Sequence, residues 1–225
     1  MKILGIDTSS KILSIVLSED PSNIIEDSHL LDRKHSSLLV PKVKELLQKA
    51  GLSIDDVDAF VVGLGPGSFT GLRIGVSAAK GFGIATRKPC IGVSSIDALA
   101  LNVDFENSAI VPVIDAKRQQ VYSAIYRKEK GRIVKKSNHL LMSVHKLMKR
   151  IKGRAVFLGD GITLYRENIY RLNKKAVFLG EEYWYPKASN LITLALTRMK
   201  KYKKGDLSKL KPIYLYPKDC QVRKD

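Results

Sequence analysis

Apolar and polar positions divide the chain into short runs that switch between strand and helix periods. Residues 2–7 form an apolar run ending at Asp7, and residues 11–17, KILSIVL, form a second. Only Thr8, Ser9 and Ser10 separate them, which predicts a tight hairpin. A third strand is expected at 23–30. Within 35–51, Leu38, Leu39, Val43, Leu46, Leu47 and Ala50 recur at helical spacing. Pro41 lies inside this pattern, so the helix is expected to begin near it or to kink there. Gly51 supplies a C-terminal stop. Residues 57–64 read as a buried strand, and a Gly65–Pro66–Gly67 loop leads into a long apolar segment from Phe69 to about Ala85. A short strand at 90–93 and a short helix at 94–101 follow.

A less apolar, acidic stretch around Asp104 to Ser108 marks the expected boundary between a first lobe, 1–105, and a second, 106–225. The second opens with two strands in 109–126, joined by a turn around Ala116 to Gln119. Further strands are expected at 131–136, 154–159, 175–179 and 213–216, and helices near 143–151 and 188–200. Residues 200–206, KKYKKGD, read as an exposed linker, and the tail after Pro217 as frayed. Each lobe opens with a strand ending in Asp, a turn and a second strand. Asp7 and Asp115 hold the matching positions, which suggests two lobes of related topology.

Composition changes this picture in one respect. The net charge of +17 is unevenly spread: residues 1–110 hold 11 Lys/Arg and 13 Asp/Glu, whereas 111–225 hold 28 and 9. A net of +19 in the second half attracts polyanions. A lysine-rich solvated surface is the plainer reading. No run reaches the ~20 apolar residues of a membrane helix. The opening MKILGIDTSS reads as a strand rather than a signal peptide, so a cytoplasmic protein without membrane partners is expected. Cys90 and Cys220 lie far apart and read as plain thiols.

Candidate chemistry centres on residues 63–81, GLGPGSFTGLRIGVSAAKG. A Gly-rich turn before a helix suggests anion binding, and Ser68 is placed to cap that helix. The spacing nevertheless fits neither the P-loop nor the dinucleotide fingerprint, and Pro66 breaks the serine-hydrolase elbow. Gly71, Gly75 and Ala79 fall at i, i+4 and i+8. Such a row lets a backbone approach closely, either that of the chain's own sheet or that of a partner helix. Asp7, Thr8, Ser9 and Ser10 form an ordinary polar turn or, with Mg²⁺, a phosphate turn. The histidines, His29, His35, His139 and His145, show no metal-site spacing. The cluster Tyr183–Trp184–Tyr185 either closes a core or stacks on a base.

ILGIDTSS (3–10), GLGPGSFTGLRIGVSAAKG (63–81) and VIDAKRQQVY (113–122) resemble the bacterial TsaB family, with GDG (159–161) and PIYLYPKD (212–219) similar to its later landmarks. The resemblance covers nearly the whole chain. It implies an α/β, two-lobed actin-like ATPase fold and a part in making N6-threonylcarbamoyladenosine at position 37 of tRNA. It further implies that transfer belongs to a paralogous TsaD-like transferase carrying an HxxxH metal site, joined by a TsaE-like ATPase. Under that resemblance this chain is a non-catalytic scaffold that meets tRNA through the complex, is able to form a homodimer when alone and requires no cofactor of its own. Any ATP or ADP would be weakly held or bound at an interface. The family's helical bundle maps to about 35–50 and 69–85, which marks Leu38, Leu39, Val43, Gly71, Gly75, Ala78, Ala79 and Phe82 as interface residues. Asp7, Thr8, Ser9, Gly65, Gly67, Ser68 and Asp115 become a vestigial phosphate site. Asp115 is followed by Ala116, Lys117, Arg118 and Gln119 rather than a Gly-rich turn. The competing expectation is a small ATPase or kinase using Asp7 and Asp115. A third is direct tRNA binding by the basic half.

Overall fold

A computed structural model of the chain describes residues 1–20, 23–30, 35–199 and 207–216. The expected linker at 200–206, the tail after Pro217 and Cys220 lie outside the described residues.

The first sheet contains β1 (Ile3–Asp7), β2 (Ile12–Ser18), β3 (Ile24–Leu30), β4 (Ala59–Gly63) and β5 (Cys90–Val93), in the order β3-β2-β1-β4-β5. The hairpin expected around Thr8–Ser10 pairs β1 with β2, Ile3 opposite Ser18 and Asp7 opposite Ser14. β4 and β5 run parallel to β1, and each is entered through a helix. Residue alternation assigns the faces. Leu4, Ile6, Phe60 and Val62 pack against α1 (His35–Lys49) and α2 (Phe69–Thr86). Ile3, Val16, Val61 and Ile91 face the opposite way. Pro41 neither starts nor ends α1, which begins at His35.

The second sheet repeats the plan. β6 (Ala109–Asp115), β7 (Val121–Ser123), β10 (Leu140–Met142), β11 (Ala155–Leu158) and β12 (Ala176–Phe178) lie in the order β10-β7-β6-β11-β12. The hairpin of β8 (Tyr126–Glu129) and β9 (Arg132–Lys135) pairs onto β6 off this path. Thus β6 stands where β1 stands, and Asp7 and Asp115 end equivalent strands. α4 (Val144–Met148) and α5 (Ile162–Leu172) cover one face, as α1 and α2 do in the first lobe. No helix among the described residues is long and apolar enough to cross a membrane.

Two helices of the inner layer between the sheets pack across the expected division at 105/106. α3 (Ser95–Ala100), from the first half, sends Leu99 and Ala100 into the second lobe's core with Ile110, Tyr126 and Leu158. α6 (Ala188–Met199), from the second half, sends Ala188, Leu191, Ile192 and Ala195 onto the first sheet. Gly5 makes room for it, because a Cβ there would crowd the Ala188 carbonyl and Ile192. Leu207 and Leu210 also pack into the first core. The cut separates the sheets but not their covering helices. Residues 213–216 are not the expected strand; Ile213 N–H makes a single bond to the Leu64 carbonyl. β10 and α5 were not expected. The first is only three residues long, and α5 buries only Ile162 and Ile169 along a charged surface.

Candidate functional site

Asp7 ends β1 facing the first turn, and its carboxyl is only 1% exposed. Its Oδ1 accepts from Ser9 N (2.9 Å) and Ser9 Oγ (2.6 Å). Its Oδ2 is buried with no hydrogen-bond partner among the described residues. Burial pushes this carboxyl above the ordinary range, against the pull of its serine hydrogen bonds.

The Gly-rich loop explains that burial. Ser68 N donates to the Ser9 carbonyl at 2.7 Å, and Thr8 Oγ1 donates to the Gly71 carbonyl at 2.7 Å. Gly65 N donates to Ser95 Oγ, and Ser95 N to the Gly65 carbonyl. Ser68 caps α2 by accepting from Gly71 N, as its position in the sequence suggests. A Cβ at Gly67 would overlap the Ser9 carbonyl, at Gly71 the Thr8 carbonyl, and at Gly75 the Thr8 hydroxyl. Asp7, Thr8, Ser9, Gly65, Gly67 and Ser68 are therefore brought together. The loop seats its own backbone directly on that turn.

The second turn is built differently. Asp115 pairs with Lys117 Nζ at 2.6 Å and accepts from Lys117 N. Its own N–H donates to Asp160 Oδ1 at 3.1 Å. Burial, reinforced by the Asp115 charge, raises the Asp160 carboxyl despite that hydrogen bond. Lys117, Arg118 and Gln119 all take positive φ, at 62°, 50° and 57°. Each residue in that region is disfavoured by roughly 1–2 kcal/mol. Tyr216 OH donates to the Ala116 carbonyl and helps to hold the turn. Among the described residues no hydrogen bond joins Asp7 to Asp115, and no group of three His, Cys, Asp or Glu is placed to hold a metal.

The expected interface residues pack largely within the first lobe. Leu39 (1% exposed), Val43 (2%) and Ala79 (0%) belong to the first lobe's own core, and Leu38, Ala78 and Phe82 pack against it. Gly71 and Gly75 meet Thr8 rather than solvent. The small-residue row thus serves close approach to the chain's own β1–β2 turn. What α1 and α2 turn outward is different: Val40 is 53% exposed and Ile84 68%. Between the helices lies an apolar groove of about 400 Å³, lined by Val40, Val43, Leu47, Leu52, Ile54 and Phe82 among others. Of the eight expected residues only Val43 and Phe82 reach it.

A polar cluster that sequence reading missed joins α3 to the second lobe. Asp97 Oδ1 accepts from Tyr126 OH (2.6 Å) and Lys135 Nζ (2.9 Å), and lies 3.0 Å from His139 Nε2. Ser94 Oγ lies 2.9 Å from the same nitrogen. Hydroxyl and carboxylate share one ring nitrogen, whereas a nucleophile relay needs one on each. Burial works to raise the Asp97 carboxyl, but His139, Tyr126 and Lys135 outweigh it and hold it well below the carboxylate range. The five residues come from separated positions between Ser94 and His139, so no local motif announces them. The aromatic cluster at 183–185 closes a core: Trp184 packs in the second lobe and its Nε1 donates to the Leu179 carbonyl.

A family model described as TsaD, tRNA N6-adenosine threonylcarbamoyltransferase, matches residues 27–203. A relative from Bacillus subtilis (strain 168), named tRNA threonylcarbamoyladenosine biosynthesis protein TsaB, is 33% identical over 227 residues, 99% of this chain and 97% of its own length. A crystal structure from Pseudomonas aeruginosa, described as an uncharacterized protein with similarity to peptidase YeaZ, superposes with TM-score 0.81 at 26% identity, covering 96% of this chain and 99% of that one. The ADPNP-bound activator of 2-hydroxyisocaproyl-CoA dehydratase from Clostridium difficile shares the fold alone, with TM-score 0.51 at 12% identity, covering 92% of this chain and 100% of that one. The fold is the two-lobed actin-like ATPase fold.

Proposed function

The chain belongs to the TsaB family, and from that premise we propose that it is the non-catalytic subunit of the machine that transfers a threonylcarbamoyl group to adenosine 37 of tRNA. It acts in the cytoplasm, beside a TsaD-type transferase and a TsaE-type ATPase. Its part is differential binding: it favours the competent conformation of the transferase. The observation that carries the non-catalytic reading is the filled turn at Asp7. Gly67, Ser68 and Gly71 bond or pack directly onto Thr8 and Ser9. This arrangement favours a chain with no resident nucleotide and weighs against ATP turnover by Asp7 and Asp115. The transferase docks on the outward face of α1 and α2, where the apolar groove offers a concave, unpolar surface next to exposed Val40 and Ile84. A homodimer of the free chain would use the same face.

The test is reconstitution: transferase, small ATPase, threonylcarbamoyl adenylate and unmodified tRNA, with and without this chain. Modified adenosine should form only when the chain is added, and the chain alone should hydrolyse no ATP. Equal modification without it would end the subunit reading. Turnover by the isolated chain that disappears in Asp7→Ala would establish the ATPase instead.

A further inference from the structure

Seven cations gather at one end of the second lobe. They are Lys149 and Arg150 after α4, Lys152 and Arg154 in the loop before β11, Arg171 in the last turn of α5, and Lys174 and Lys175 in the loop before β12. The topology places them together. β11 and β12 are parallel neighbours with Ala155 beside Ala176, so Arg154 and Lys175 enter the sheet side by side. Asn173 Nδ2 donates to the Gly153 carbonyl at 2.9 Å and ties the two loops to each other. α4 packs on α5, which brings their C-terminal ends to the same edge.

All seven side chains are exposed. Among the described residues none of them forms an ion pair, whereas several lysines elsewhere do: Lys42 with Glu45, Lys88 with Asp58, Lys136 with Glu129. Lys128 takes both Asp104 and Glu106 in the loop that precedes β6. Between 146 and 175 the only carboxylates are Asp160, turned toward Asp115, and Glu167 in the middle of α5. Helix C-termini account for part of the pattern, since Arg171 complements the end of α5. They do not account for Lys152, Arg154, Lys174 and Lys175, which lie beyond any helix. Tyr170, 49% exposed, stands at the same edge with Lys174 Nζ 4.4 Å over its ring. Unpaired cations around an exposed aromatic match a phosphate backbone with an unstacked base beside it.

We propose that this end of the second lobe is an RNA-binding surface that grips the tRNA backbone directly, so that the subunit holds substrate as well as transferase. The proposal rests on the tRNA-modification reading above. It places the contact in the lobe that does not carry the α1–α2 face. RNA is favoured over an anionic membrane because Lys152, Arg154, Lys174 and Lys175 stand on loops at a strand edge rather than along the polar face of a helix.

The probe is an end-labelled, unmodified tRNA transcript titrated with the full-length chain, followed by anisotropy from 50 to 300 mM KCl. The variant Arg154→Gln/Lys174→Gln/Lys175→Gln should lose about tenfold or more in affinity at 100 mM salt. Its slope of log K against log salt should be shallower by about 2 to 3, roughly one per phosphate contact removed. A control neutralising Lys42, Lys44 and Lys80 to Gln should bind as the parent does. Parent and patch variant binding alike, or a control that falls equally, would overturn the located site. Patch-dependent binding to vesicles of 70% phosphatidylcholine and 30% phosphatidylglycerol, with no RNA binding, would assign the surface to lipid and overturn the proposal. Pull-down of the transferase by the patch variant separates this result from the subunit reading: that interaction should persist.

Discussion

A methyl group added at Gly75 would overlap the Thr8 hydroxyl, and that hydroxyl is held in place by the Gly71 carbonyl. Gly75→Ala should therefore destabilise the isolated chain by about 1–3 kcal/mol, a fall of several degrees in Tm. Below that temperature the chain should still pair with its transferase. An unchanged Tm with lost pairing would return Gly75 to the interface. Asp7 makes a second case. Its folded carboxyl is raised by burial, so the unfolded chain ionises first as pH climbs past ordinary carboxylate values, and stability drains from the parent. Asp7→Asn keeps an acceptor for Ser9 N and Oγ but removes the charge. It should be more stable than the parent by about 1 kcal/mol at pH 7, with the gap closing toward pH 3, as chemical denaturation at both pH values would show. A variant markedly weaker at pH 7 would mean that the carboxylate works as a charge, which the ATPase reading requires.

Among elements, the strands and helices of the first lobe are legible because each buries a regular pattern: continuous apolar runs in β1, β2 and β4, covered on both faces, and helical stripes in α1 and α2. What sequence could not supply was which surface each stripe meets. The row Gly71, Gly75, Ala79 is a genuine close-packing signal, but a stripe of small residues does not say whether the neighbour belongs to the same chain. Leu39 and Val43 pose the same question, since a core-facing stripe and a partner-facing stripe share one period. The outward positions between them, Val40 and Ile84, were unremarkable in sequence. They now carry the docking prediction. Val40→Glu and Ile84→Glu should leave Tm nearly unchanged, as exposed substitutions usually do to within about 0.5 kcal/mol. Each should weaken co-elution with the transferase at least tenfold by placing a charge on an apolar contact. Size-exclusion of the mixed proteins reads both. Normal co-elution of both variants would move the partner to another face.

At the scale of the whole molecule, the lobes are joined by the two helices they exchange, and α3 carries the half-buried charged cluster between them. Its N-terminus touches the sealed turn, through Ser95 and Gly65. Two residues on, Asp97 holds Tyr126 and Lys135 of the β8–β9 hairpin and lies against His139. The hairpin is the insertion that sets the second sheet apart from the first, so this cluster has no counterpart from which sequence could infer it. The depressed carboxyl of Asp97 gives a stability contribution of the opposite sign to that of Asp7. It is fully present above the ordinary carboxylate range and is lost as pH falls toward the folded value. Asp97→Asn leaves Lys135 half-buried without its carboxylate partner, and should cost about 2–3 kcal/mol at pH 7. For a chain of this size that is roughly 4–12 °C in Tm. The gap between parent and variant should narrow as pH drops below about 4, where the unfolded carboxyl also begins to hold its proton. Denaturant midpoints at pH 7, 5 and 3 would show it. A gap that stays constant with pH would mean that the residue contributes by packing alone, and that the lobes are held by the apolar contacts of Leu99 and Ala100 rather than by the charge beside them.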